Sequence, residues 1–244
     1  MSDYVLLVFE GEKTEPKIFK SLQTHYFNNA QSTVIRATYD AEIYQLWRQV
    51  AGEEHLDLVE EIRNRNDKNT KALAGIKRDQ VSQIFLFFDY DGHATSASDE
   101  AIAKMLSYFN NENNNGKLYI SYPMVEAFKH IKRATNFRET TYEITKGKKY
   151  KNHVDSSTDF PDIRKFNKSS WNYIILENCK KANLLVRGVY RKPSFRKVLE
   201  NLKQEKIFDG QRKHHIIPHG QVAVLSAFPF FIIEYFGENA YSQI

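Results

Sequence analysis

In Phe85-Leu86-Phe87-Phe88-Asp89-Tyr90-Asp91-Gly92, four large apolar residues stop abruptly at two carboxylates spaced i, i+2, and a glycine follows. A short uninterrupted apolar run bounded by turn signals reads as a strand buried on both faces, as in the middle of a parallel sheet. Side chains at i and i+2 point the same way on an extended chain, so Asp89 and Asp91 are expected to face one small volume at the strand's C-terminal edge. Open α/β sheets place their ligands along that edge. Two converging carboxylates repel unless one is protonated or a cation bridges them. For an all-oxygen site that cation is Mg²⁺, with Mn²⁺ as its usual substitute.

Working outward, Tyr4-Val5-Leu6-Leu7-Val8-Phe9 is a second run of the same kind, and it too ends on an acid, Glu10, followed by Gly11. Thr14-Glu15-Pro16 then has the form of a helix start, with Thr14 as cap and Ile18, Phe19, Leu22, Tyr26 and Phe27 at helical spacing behind it. Ser32 to Thr38 is a weaker strand pattern, and Asp40 is placed to cap a helix carrying Ile43, Leu46, Trp47 and Val50. A polar segment, Glu60 to Asp79, is expected to be helix running into exposed loop. Beyond Gly92 come a helix with Ile102, Met105, Leu106 and Phe109, an Asn-rich turn at 110–116, and a strand over Lys117 to Tyr122 that stops at Pro123. Met124 to Phe128 opens a further helix with Glu126 in its first turn. Strands alternating with helices predict a parallel sheet with helices on its faces.

From Arg133 the pattern changes, so a catalytic domain over 1–132 is expected to carry a basic, mainly helical extension over 133–244 packed on it. Lys146 to His153 is a basic stretch in which Lys148, Lys149 and Lys151 could track a phosphate backbone, with Tyr150 as a base-stacking surface. Two helical patterns follow, one with Phe166, Trp171, Ile174, Ile175 and Leu176, the other with Phe195, Val198, Leu199 and Leu202. His214 to Pro218 reads as a short β-like piece, and Val222 to Phe236 as a buried apolar segment.

The chain has 244 residues, 41% of them hydrophobic, which suits a full α/β core. A net charge of +5 permits nucleic-acid binding without demanding it. The single Cys179 excludes an intramolecular disulfide framework and a cysteine-rich zinc site. Met1-Ser2-Asp3 leads straight into a strand pattern with no leader-like apolar core, and no stretch is long and apolar enough to span a bilayer. A cytoplasmic protein without membrane association is expected. The sequence leaves the choice between monomer and homo-oligomer open.

Glu10, Asp89 and Asp91 end strands that share one sheet edge, and Glu126 follows a further strand there. Glu12 and Glu15 lie beside Glu10. Such a cluster suits one or two divalent cations that polarise a phosphate and activate water. His93, next to Asp91, is the histidine best placed to help; His214, His215 and His219 have no acid close in sequence. An apolar strand ending in Glu-Gly, then a helix, then a strand ending in Asp-x-Asp resembles the Toprim (topoisomerase–primase) domain over roughly residues 4–132. The wording Glu10-Gly11-Glu12-Lys13-Thr14-Glu15-Pro16-Lys17-Ile18-Phe19 is similar to the stand-alone RloB/AbiLii-like Toprim proteins of bacterial anti-phage defence.

That resemblance implies a Toprim-like (Rossmann-like) sheet and a Mg²⁺-dependent nuclease acting on DNA or RNA. Glu10, Asp89 and Asp91 take the metal and acid/base positions, and Glu126 that of the acid after the fourth strand. The nuclease branch's Glu-x-x-x-Glu spacing is broken by Thr14, with Glu15 as the next acid, so the number of ions stays open. The alternative is a non-catalytic or partner-activated subunit working with a separate ATPase, since this chain has no G-x-x-x-x-G-K-[ST] of its own. Receiver- or phosphatase-type folds also end a strand in acids, but they leave Glu10-Gly11 unexplained.

Overall fold

The computed structural model describes residues 4–27, 33–51, 56–133 and 136–244. In chain order the elements are β1 (Tyr4–Phe9), α1 (Thr14–Tyr26), β2 (Thr33–Thr38), α2 (Ile43–Ala51), α3 (Leu58–Asn64), α4 (Asp67–Ala72), β3 (Val81–Asp89), α5 (Asp99–Tyr108), β4 (Asn110–Asn111) and β5 (Gly116–Ser121). After them come β6 (Thr141–Glu143), α6 (Tyr150–Ser157), α7 (Lys168–Arg187), α8 (Phe195–Asn201), α9 (Gln204–Gln211), α10 (Ile217–His219), β7 (Gln221–Ala223) and α11 (Phe228–Tyr241). The main sheet runs β2-β1-β3-β5-β4, parallel except for the short β4 hairpinned onto β5. β1 and β3, the two strands that read as continuous apolar runs, are the ones with a parallel neighbour on both sides.

The sheet is covered on both faces. Phe9 meets Phe19 of α1 at 6.1 Å between ring centroids, and Phe87 stacks on Phe228 of α11 at 4.9 Å. Phe231, also on α11, sits 5.0 Å from Phe85 and 5.2 Å from Phe87. α11 is further tied to β5 by the Tyr119 hydroxyl, which donates to Glu234 at 2.6 Å, and by the Lys117–Glu234 ion pair. On the opposite face Phe88 meets Tyr39 at 5.9 Å, and α2 touches α5 through Trp47 and Tyr108. One cluster of buried residues runs from Val5 to Tyr241, so the region after 132 shares its core with the sheet. It is mostly helical, with β6 and β7 as a small antiparallel pair.

Local departures from the sequence reading have physical reasons. The cap of α1 is Lys13, with no side-chain capping bond, because the Glu15 carboxylate reaches back to the Gly11 N–H instead at 3.0 Å. Asp40 caps no helix: at φ 55 it accepts from the Thr38 hydroxyl and from Asn66. Ser32 lies outside the described residues. The polar segment from Glu60 holds the rest of α3 and all of α4, helices whose starts are capped by Asp57 and Asn66. The helix expected at Glu126 is a short 3₁₀ turn, Val125–Lys129. His214 to Pro218 is helical rather than β-like, with a π-turn over Arg212–Ile216 leading into α10. Among the described residues no helix is long and apolar enough to cross a membrane.

Phe87 is 2% exposed and touches rings from β1, β5 and α11. Phe87→Ala is expected to cost about 3–5 kcal/mol in urea unfolding, whereas Leu199→Ala, at a position 42% exposed, should stay within about 0.5 kcal/mol.

Candidate active site

The parallel ladder between β1 and β3 sets the site. Phe9 pairs with Phe87, and the Glu10 N–H continues the ladder by donating to the Phe87 carbonyl at 3.0 Å. The Glu10 side chain then turns across to its neighbour, where Oε2 accepts the Asp89 N–H at 2.8 Å. Asp89 is the last residue of β3, opposite Ser121 of β5. Asp91 does not lie on the strand, contrary to the i, i+2 reading. It occupies the turn at φ 43, a left-handed conformation that Asp tolerates better than most residues. Its carbonyl accepts the Ala94 N–H at 2.8 Å and so closes that turn.

Asp89, Asp91, Glu15 and Glu126 are all less than 8% exposed. Burial, then the Asp91 charge, pushes the Glu10 carboxyl up to about 9. Asp89 is raised by burial and then by Glu10, Asp91, Glu15 and Glu126 in turn, so these five acids share one field. Burial likewise raises Asp91, against the pull of His93 and a hydrogen bond with Glu10. Glu126 is raised by burial, with Lys151 and Lys129 opposing. Buried carboxylates of this kind relax by keeping protons or by taking a cation.

The structure therefore puts Asp89 in the field of Glu10, Asp91, Glu15 and Glu126, and Glu10 in that of Asp91 and Glu15. Glu12 is excluded; it is exposed and paired with Lys68. His93 stands 3.8 Å from Asp91 Oδ1 and lies over Gly147, where a Cβ would come within 2.3 Å of the ring. Of the three lysines, Lys151 borders the cluster, lowering both Glu15 and Glu126, while Lys148 and Lys149 are exposed and unconnected to it. Tyr150 is no stacking surface: it is fully buried, with its hydroxyl 2.9 Å from His130 Nδ1. Cys179 is buried, and burial raises its thiol far above the ordinary range.

Glu42 was not anticipated. Its charge acts on both Glu10 and Asp91, and it accepts the Ser96 hydroxyl at 3.1 Å. Its position between β2 and α2, on the same edge, was the available signal.

An all-carboxylate set suits a hard divalent cation in kind, and Asp91 Oδ1 is buried with no hydrogen-bond partner, as a waiting ligand oxygen would be. In position the fit is partial. Among the described residues no three His, Cys, Asp or Glu side chains are arranged to hold an ion as they stand. Comparison with protein-family models, curated proteins and solved structures returned no match.

The direction of pH dependence follows. Glu10 is ordinary in the unfolded chain and raised in the fold, so between about pH 4.5 and 9 the native state holds more protons and loses stability as pH rises. In metal-free buffer the thermal midpoint should fall across this window. Glu10→Gln, which keeps an acceptor for the Asp89 N–H, should flatten the slope and raise the midpoint at pH 8.

Proposed function

We propose that the protein is a Mg²⁺-dependent nuclease that hydrolyses phosphodiester bonds of DNA or RNA, of Toprim type and serving anti-phage defence. The observation that carries the reading is the convergence of Glu10, Asp89 and Asp91 on one buried sheet edge, tied by the bond from the Asp89 N–H to Glu10. Glu10-Gly11 and Asp89-x-Asp91 are also the two motifs at which the resemblance is strongest. Glu10, Asp89 and Asp91 would hold the ion, with Glu126 and Glu15 beside them. A bound Mg²⁺ supplies charge for the phosphate oxygens and a more acidic water. Glu10, whose carboxyl burial raises to about 9, would be able to exchange a proton with a reacting group. Glu15 fixes the loop after β1 through the Gly11 N–H, so Glu10 keeps its direction. Lys151 is the cation best placed to steer a phosphate toward the acids.

A second reading has its own support. The carboxylates need to move before three of them meet at one point, which suits a subunit whose site is completed by a partner such as a separate ATPase.

With Mg²⁺ or Mn²⁺, the purified chain should cleave at least one of plasmid, single-stranded DNA or tRNA, and EDTA should stop it. Asp89→Asn and Glu10→Gln should each lower the rate at least about 100-fold, more than outer-shell changes usually do. Inactivity relieved only by a partner ATPase selects the subunit; activity retained by both variants removes the carboxylate assignment.

Binding is separable from turnover. Mn²⁺ at about 100 times its Kd should stabilise the fold by about 2.7 kcal/mol, read as a rise in thermal midpoint. Asp89→Asn should abolish that rise.

A further inference from the structure

A cavity of about 470 Å³ lies between the C-terminal half of α7, the turn at Arg138, β7 and the π-turn that precedes α10. It shares no lining residue with the carboxylate cluster. Arg138, Lys181, Arg187, His214 and His215 line it, and there is no carboxylate among its walls. Leu184, Leu185, Val186 and Ala223 supply an apolar side. Convergent polar groups beside an apolar wall, in a volume of this range, are features of small-molecule sites; here the basic share of the lining is unusually high.

The cations are short of counter-charges. Lys181 is 2% exposed, yet among the described residues its amine has only the Thr140 carbonyl and the face of the Phe137 ring, 4.3 Å away. A buried lysine without a carboxylate is costly, and burial pushes it well below its usual range. His215 is pushed down to about 4, first by burial and then by the neighbouring basic groups Lys181, His214 and His219. Among the described residues neither Arg138 nor Arg187 has an acid within ion-pair distance. The α7 end that approaches this region is closed by its own cap, with the Gly188 N–H donating to the Leu184 carbonyl at 2.7 Å. The two histidines are delivered by a π-turn, a distortion that recurs at functional sites.

We propose that this cavity binds a small phosphomonoester of nucleoside-monophosphate size, its phosphate held by Arg138 and Arg187 over Lys181 and its apolar body against Leu184, Leu185 and Val186. Guanidinium groups fit phosphate in a bidentate fashion, and an incoming dianion supplies the charge that Lys181 and His215 lack. The site is independent of the proposed cleavage chemistry and stands or falls without it.

Isothermal titration of the full chain in EDTA, which removes metal-mediated binding at the carboxylates, tests the assignment. The probes are adenosine monophosphate, adenosine, inorganic phosphate and a 5′-phosphorylated oligonucleotide. Adenosine monophosphate should bind at least tenfold more tightly than either adenosine or phosphate. Arg138→Ala and Arg187→Ala, both at exposed positions, should each weaken it at least tenfold with the fold intact, and Lys181→Met should do the same if it folds. Lys148→Ala should leave it unchanged. Adenosine monophosphate binding no more tightly than phosphate, or unaffected by loss of both arginines, overturns the proposal. Binding of the oligonucleotide alone through the same arginines overturns it too, in favour of a strand end.

Discussion

The hydrogen bond from the Asp89 N–H to the Glu10 carboxylate joins the ends of two adjacent parallel strands, and the rest of the site is arranged around it. It exists because β1 and β3 pair in a register that leaves Glu10 one step beyond Phe9 and alongside the close of β3. Its consequence is electrostatic. With Glu10 held there, Asp89 and Asp91 can satisfy their burial only by sharing protons or by sharing a cation, and Glu15, Glu42 and Glu126 add to the same field. A fold selected for stability alone would dilute such a cluster with apolar groups. Its place at a sheet's C-terminal edge is the physical basis of the functional proposal.

Much of this was legible from residue type and spacing. Phe85 to Phe88 and Val5 to Phe9 could be strands on apolar runs alone, because strands flanked on both sides by parallel neighbours have no polar face to reveal. Acids at their ends then had to share an edge. What could not be read was anything set by a turn or by a partner distant in the chain. Asp91 faces Glu10 through a left-handed turn rather than through strand alternation. Tyr150 looked like an exposed aromatic among lysines, yet it is buried because His130, twenty residues upstream, accepts its company in the core. Glu42 follows a strand too weak in pattern to draw attention to the loop after it. His214 to Pro218 carries β-branched isoleucines and a proline, which mask a helical turn stabilised by packing against β7 and α9.

The region after residue 132 is more than a cover. Lys151 brings positive charge to Glu15 and Glu126, and Gly147 makes room for His93 beside Asp91. Both come from the stretch of chain around the 3₁₀ turn at Ile144–Lys149, which the β6–β7 pair anchors. The electrostatic environment of the acids therefore depends on residues far from the strands that bear them.

The aromatic floor that α11 lays under Phe85, Phe87 and Tyr119 gives the chain an order of assembly. During synthesis the strands and α1 emerge first, but Phe85, Phe87 and Tyr119 have no α11 cover until Phe228 and Phe231 have left the ribosome. A chain without those rings would hold its acids on a sheet whose Phe85, Phe87 and Tyr119 lack their α11 cover.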